Sequence, residues 1–167
     1  DLNPGKGLSW FLDTGYAQLI EEIDKTEGSK PIAVIFNLGV NDLGNAGNYV
    51  SYMTSIASTL KSKNCKLFYM SVNPINSTMI TKAGRGARTE AQVREFNSKI
   101  RSGLSLDYKY IDMYSVLMKK GYGTNASYNG TDADSDDGLH YTTKTFKRIY
   151  YYCITYLNTG SINASYY

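Results

Sequence analysis

Long apolar runs are missing from this sequence. No stretch approaches the roughly 20 consecutive apolar residues that a membrane-spanning helix needs, so no membrane span is expected. The first residues, Asp1-Leu2-Asn3-Pro4-Gly5, lack the charged-then-apolar form of a signal peptide, and the reading is that the sequence starts in mature protein or inside a longer chain. Concentrated basic charge is also missing: the formal net charge is +3, and the scattered Lys and Arg form no stripe of the kind that binds nucleic acid. Cysteine is scarce. Cys65 and Cys153 could pair in an oxidising compartment, but each sits among apolar neighbours as a buried thiol does, and two free thiols are the favoured reading. Only one histidine is present, His140, so any imidazole chemistry falls on it.

What is there suits a globular protein. At 167 residues the chain is long enough for one substantial core and is read as a single domain, 1–167. Hydrophobic residues make up 42% and charged ones 20%, which separates it from disordered chains. Sixteen tyrosines, with abundant Ser, Thr, Asn and Gly, suggest the polar surface of secreted bacterial proteins. An extracellular or cell-surface location is therefore expected.

Taken in order, a Pro/Gly-rich opening leads into Leu8-Ser9-Trp10-Phe11-Leu12, after which Tyr16, Leu19, Ile20 and Ile23 recur at helical spacing. This predicts a helix over 14–27, ended by Gly28. Residues 32–38 form a β-branched, aromatic run, read as a parallel strand buried on both faces. Tyr49, Met53, Ile56, Ala57 and Leu60 then mark a second helix, 66–72 a second strand, and 73–88 a loop. Thr89 and Gln92 have the spacing of a capping box, and Val93, Phe96, Ile100 and Leu104 give the apolar stripe of a third helix with Gly103 at its C-cap. A third strand is predicted over 108–112, followed by a short helical segment and a polar loop over 120–138. The last helix should start near Thr142 and turn Phe146, Ile149, Tyr150, Cys153, Ile154 and Leu157 inward.

Strands alternating with helices predict an α/β fold: a parallel sheet with helices on both faces. Right-handed crossovers place the second strand beside the first and the third beyond it. The first strand then keeps an unpaired edge, which native proteins avoid. A further strand is expected from outside these residues, from a preceding segment or a second chain.

Two short constellations carry the chemistry. Gly39-Val40-Asn41-Asp42 stands at the end of the first strand, where open α/β sheets bind ligands. Asp137-Gly138-Leu139-His140 precedes the last helix. A carboxylate three residues before a histidine can accept its Nδ1 hydrogen and leave Nε2 free as a general base. An asparagine at a strand end can aim its NH2 group at a developing oxyanion. Asp42, beside it, is read as structural, bonding backbone amides of the following loop.

GxND at a strand end, followed about 100 residues later by DxxH before the final helix, resembles the SGNH (GDSL-type) hydrolases. The resemblance runs from about Gly5 to Tyr156 and includes the glycine-bearing segment Gly5-Lys6-Gly7-Leu8-Ser9-Trp10. It implies a three-layer, flavodoxin-like α/β sandwich and a serine hydrolase of esters, plausible substrates being O-acetyl or other short acyl groups on a carbohydrate. Asp137 and His140 would be two members of the triad; Asn41 and the Gly7 N–H would form the oxyanion hole, with Gly39 and Asp42 supporting it. No metal or organic cofactor is implied. The family's nucleophile lies in a Gly-Asp-Ser motif after the first strand, and no Gly-Asp-Ser occurs in these residues. The family's first strands and the serine are therefore expected outside the sequence, in the region the unpaired strand edge independently requires. Otherwise the chain is a variant that has lost its nucleophile.

Other readings stand beside this one. Ser9, Ser71 and Ser135 lack the strand-to-helix turn that exposes a nucleophile. Asp132, Asp134 and Asp136 alternate as in a calcium loop, but Asp137 and Thr143 occupy the positions where an EF-hand loop needs Gly and Glu. Lys82, Arg85 and Arg88 among Gly84 and Gly86 make a basic loop that is by default solvated. The crowded tyrosines, Tyr150-Tyr151-Tyr152 and Tyr166-Tyr167, could stack on sugars. A noncatalytic carbohydrate-binding module or a calcium-dependent surface module on the same scaffold is the alternative function.

Overall fold

The computed structural model describes residues 6–26, 28–123 and 137–165. The acidic alternation Asp132 to Asp136, Ser135 and the pair Tyr166-Tyr167 lie outside the described residues. The fold is α/β, with a three-stranded parallel sheet in the order β1-β2-β3: β1 Ile32–Phe36, β2 Cys65–Met70 and β3 Lys109–Ile111. The chain divides into two compact units, Asp1–Met70 with Glu95–Tyr110, and Ser71–Arg94 with Ile111–Tyr167.

In the first unit, β1 pairs with β2 in a register that sets Ile32 against Cys65 and Phe36 against Tyr69. Four of the six β2 residues, Leu67 to Met70, are buried in succession, so both faces of this strand are covered, as a central strand requires. β1 differs from expectation: Val34 and Phe36 are buried, whereas Ala33 on the opposite face is exposed and Ile35 only partly covered. Among the described residues β1 has a neighbour on one edge only.

Helices pack on this sheet through aromatic side chains. The third helix, α3 (Ala46–Ser62), buries Tyr49, Met53, Ile56, Ala57 and Leu60, the stripe that periodicity predicts. Tyr108 donates its hydroxyl hydrogen to the Met53 carbonyl at 2.7 Å and meets the Phe36 ring edge-on. The Phe36 ring also stacks on Tyr69, its cross-strand partner. Helix α5 (Glu90–Gly103) starts on the Thr89–Gln92 capping box, with Gln92 N–H donating to Thr89 Oγ1 at 3.2 Å and Thr89 N–H to Gln92 Oε1 at 2.9 Å. Its terminal Gly103 does more than end a helix. A Cβ there would stand 2.6 Å from a Val50 methyl carbon, so the glycine lets α5 approach α3.

The chain's helical start lies earlier than periodicity predicts. A short α1 (Leu8–Trp10) runs through a π-turn (Phe11–Gly15) into α2 (Tyr16–Lys25). Asp42, distant in sequence, provides the reason: its Oδ2 accepts the Leu8 N–H at 2.8 Å and thereby caps the first turn. Local sequence holds no sign of such a cap.

In the second unit, residues expected as loop contain α4 (Ser77–Lys82), whose N-cap Asn76 accepts the Met79 N–H at 3.0 Å. Helix α6 (Met113–Lys119) is capped by Asp112, and α7 (Thr143–Thr159) by Thr142, as its sequence predicts. Of the residues expected inward on α7, Ile149 and Cys153 are buried; Phe146 and Tyr150 are exposed, and Thr145 and Tyr152 are buried instead. Glu90 ties three segments together: Oε1 accepts the Ile75 N–H at 2.5 Å and Oε2 the Tyr114 hydroxyl at 2.6 Å. Both cysteines are buried thiols outside any disulfide, Cys65 in the first unit and Cys153 in the second.

Candidate active site

The predicted site residues fall into two groups, one in each unit. In the first unit, Gly39 begins the turn beyond β1. Its φ of +119° suits glycine, and any Cβ would run into the Phe96 ring, so neither the conformation nor the space admits a side chain. The turn closes with Asp42 N–H donating to the Gly39 carbonyl at 2.9 Å. It delivers Asn41 and Asp42 to the segment before α1. Asn41 Nδ2 donates to the Lys6 carbonyl at 2.9 Å, and Asp42 Oδ2 accepts both the Leu8 N–H and the Tyr49 hydroxyl, each at 2.8 Å. Gly7 lies between these anchors, and a Cβ on it would collide with the Asp42 carboxylate.

GxND and the Gly7 segment, some 34 residues apart, are thus brought together. The backbone amide that the Asp42 side chain bonds belongs to Leu8, not, as expected, to the loop that follows. Burial, then the hydrogen bond to the anionic Asp42, pushes the Tyr49 hydroxyl far above its ordinary pKa, so it remains a donor. The side chain of Asn41 is oriented by its bond to Lys6, beside the Gly7 peptide.

The second group forms one turn. Asp137 is buried, and its two oxygens divide the work: Oδ1 accepts the backbone N–H groups of Leu139 at 2.9 Å and His140 at 2.8 Å, while Oδ2 lies 2.6 Å from His140 Nδ1. The imidazole is therefore held by one nitrogen, with 47% of its side chain exposed. Burial acts to raise the Asp137 pKa, but the bonds from the His140 backbone and ring and from the Leu139 N–H outweigh it, and the carboxyl lies below its ordinary value.

The turn is docked on the segment beyond β2. The Gly138 carbonyl accepts the Asn76 N–H at 2.8 Å, and Tyr141 donates its hydroxyl hydrogen to the Pro74 carbonyl at 2.5 Å. Gly138 has φ +75°, and a Cβ on it would stand 2.6 Å from the Asn76 carbonyl oxygen. A tight approach of two loops, requiring glycine, fixes where His140 stands.

One participant is absent from the sequence reading. Arg85, assigned there to a solvated basic loop, places Nε 3.2 Å from Asp137 Oδ2, the oxygen that also faces His140. A short basic segment 52 residues upstream gives no sign of this pairing. Of the serines described, Ser71 lies just beyond β2 and not in the strand expected there, fully buried with Oγ accepting the Tyr114 N–H at 2.7 Å, and Ser9 is an exposed residue of α1 near Asp13.

A separate cavity of about 490 Å³ in the second unit is lined by Lys144, Lys147, Arg148 and Tyr151 of α7. Among the described residues no cluster of three or more His, Cys, Asp or Glu side chains is arranged to hold a metal ion, and no helix is long and apolar enough to cross a membrane. Protein-family models and curated proteins were both compared with the chain, and none matches it.

Proposed function

We propose that the chain is the larger part of a three-layer SGNH-type hydrolase that cleaves esters, its substrate an O-acetyl or other short acyl group on a carbohydrate. The Asp137–His140 turn carries this reading: a buried, ionised carboxylate held by two backbone amides grips Nδ1 of an otherwise exposed imidazole. That arrangement fixes the tautomer with Nε2 unprotonated, as a general base requires. The nucleophilic serine comes from a Gly-Asp-Ser segment outside the 167 residues, on a strand that adds to the open edge of β1. His140 takes the serine proton during attack and returns it to the leaving alcohol. Asn41 Nδ2 and the Gly7 N–H stabilise the tetrahedral oxyanion. The chemistry asks for no metal and no organic cofactor.

The test is ester hydrolysis by the protein together with the residues that precede it in its gene. It should release acetate from an aryl acetate, and His140→Ala should reduce kcat/KM about a thousandfold or more. Undiminished hydrolysis by that variant would remove His140 as the base. The alternative of a noncatalytic carbohydrate-binding module draws on Tyr151, half-exposed beside three cations at the α7 cavity. Glycan binding without ester hydrolysis would favour it.

A further inference from the structure

Asp137 Oδ2 is shared. On one side stands His140 Nδ1 at 2.6 Å, on the other Arg85 Nε at 3.2 Å. A catalytic dyad needs only the first contact. The second brings a permanent cation to the carboxylate that is to stabilise an imidazolium, and the two influences oppose each other: Asp137 favours the protonated ring, whereas Arg85 repels it and draws on the same anionic oxygen.

The position of Arg85 is set by its backbone. Its N–H donates to the Ile80 carbonyl at 3.1 Å, which ties it to α4, and its carbonyl accepts from Arg88 Nη1. The Asp137 turn is docked on the N-terminal side of the same helix through Asn76 and Gly138. Both ends of the ion pair are therefore fixed to α4. Among the described residues, the charged group that meets the His140–Asp137 pair within ion-pair distance is Arg85, from the segment following α4. Since 55% of the Arg85 side chain is exposed, removing its charge leaves little packing to lose.

We propose that Arg85 is a positioning residue of the acid–base pair, which holds Asp137 Oδ2 in place and whose charge opposes that of a proton on the His140 ring. The proposal rests on the reading of Asp137 and His140 as a catalytic dyad, but its physical content can be measured without catalysis. His140 is the only histidine of the 167 residues, and comparison with His140→Ala assigns its ring resonances.

The experiment is an NMR titration of the His140 ring in the parent protein and in Arg85→Gln, Arg85→Ala and Arg85→Lys, each checked for an unchanged melting temperature. Loss of the charge in the Gln and Ala variants should raise the His140 midpoint by about half a unit or more, and the Lys variant should stay close to the parent. The difference should shrink in 0.5 M salt, because the pair is partly exposed. The acid limb of kcat/KM should move to higher pH by the same amount. Equal midpoints in the parent and Arg85→Gln would overturn the proposal. Shifted midpoints without any ester hydrolysis would uphold the Arg85–Asp137–His140 coupling and defeat the catalytic reading instead.

Discussion

The carboxylate of Asp42 fills the space into which a side chain at position 7 would project, so any residue larger than glycine between Lys6 and Leu8 must displace that carboxylate. Asp42 holds that position by accepting the Leu8 N–H and the Tyr49 hydroxyl on one oxygen. Asp42→Ala should therefore destabilise the protein by about 1–3 kcal/mol for each donor left unsatisfied. Gly7→Ala should destabilise it as well, by displacing the carboxylate. In the double variant the collision is gone, so the combined loss in urea unfolding should be smaller than the sum of the single losses. Additive losses would show that the two residues do not meet.

Gly39 makes a second prediction of this kind, in which two costs can be separated. Gly39→Ala meets the Phe96 ring and also places a side chain at φ +119°, so a loss of about 2 kcal/mol or more is expected. Pairing it with Phe96→Leu relieves the collision but leaves the backbone strain. Partial recovery relative to Phe96→Leu alone is the expected outcome in thermal or urea melts, and full recovery would mean that backbone conformation there costs nothing.

Asp137 should imprint the pH dependence of stability. Its folded pKa lies below the ordinary value of 3.8, so its contribution is complete above that value and is lost as pH falls through the lower, folded pKa. Melting temperatures between pH 2 and 6 should decline on the acid side in the parent, and the decline should be shallower in Asp137→Asn. Parallel curves would remove Asp137 as a source of the acid transition.

The two thiols should be silent in the native protein. Burial pushes the Cys153 pKa up to about 11 and raises that of Cys65, so the thiolate is scarce at pH 8 and access is poor. A disulfide-exchange reagent such as Ellman's should titrate neither until denaturant is added, and both afterwards. Rapid reaction of either in the folded state would contradict its burial.

These tests also mark what the sequence could disclose. The α3 and α5 stripes, the capping box and the Thr142 start of α7 are local: each depends on residues a few positions apart, where periodicity and side-chain capping act directly. The Asp137–His140 bond is local too, spanning three residues. What escaped depends on distant partners. The cap on α1 comes from Asp42, the need for Gly103 from Val50, and the Arg85–Asp137 pair from a turn docked on α4. Exposed Phe146 and Tyr150 make the same point, since helical spacing defines a stripe but not where the covered arc ends. For β1, the single paired edge follows from strand order and agrees with the described residues, but an apolar run does not tell whether both faces are covered, and Ala33 is exposed.

The central claim, that Asp137 and His140 serve a serine nucleophile, is tested most directly by covalent labelling. The protein with its preceding residues should react with a fluorophosphonate ester, a reagent for base-activated serines, and peptide mass spectrometry should place the label on the serine of a Gly-Asp-Ser sequence outside the 167 residues. His140→Ala should abolish labelling in protein that still melts cooperatively. A label that persists in His140→Ala, or no label on any serine in the folded parent, would contradict the account.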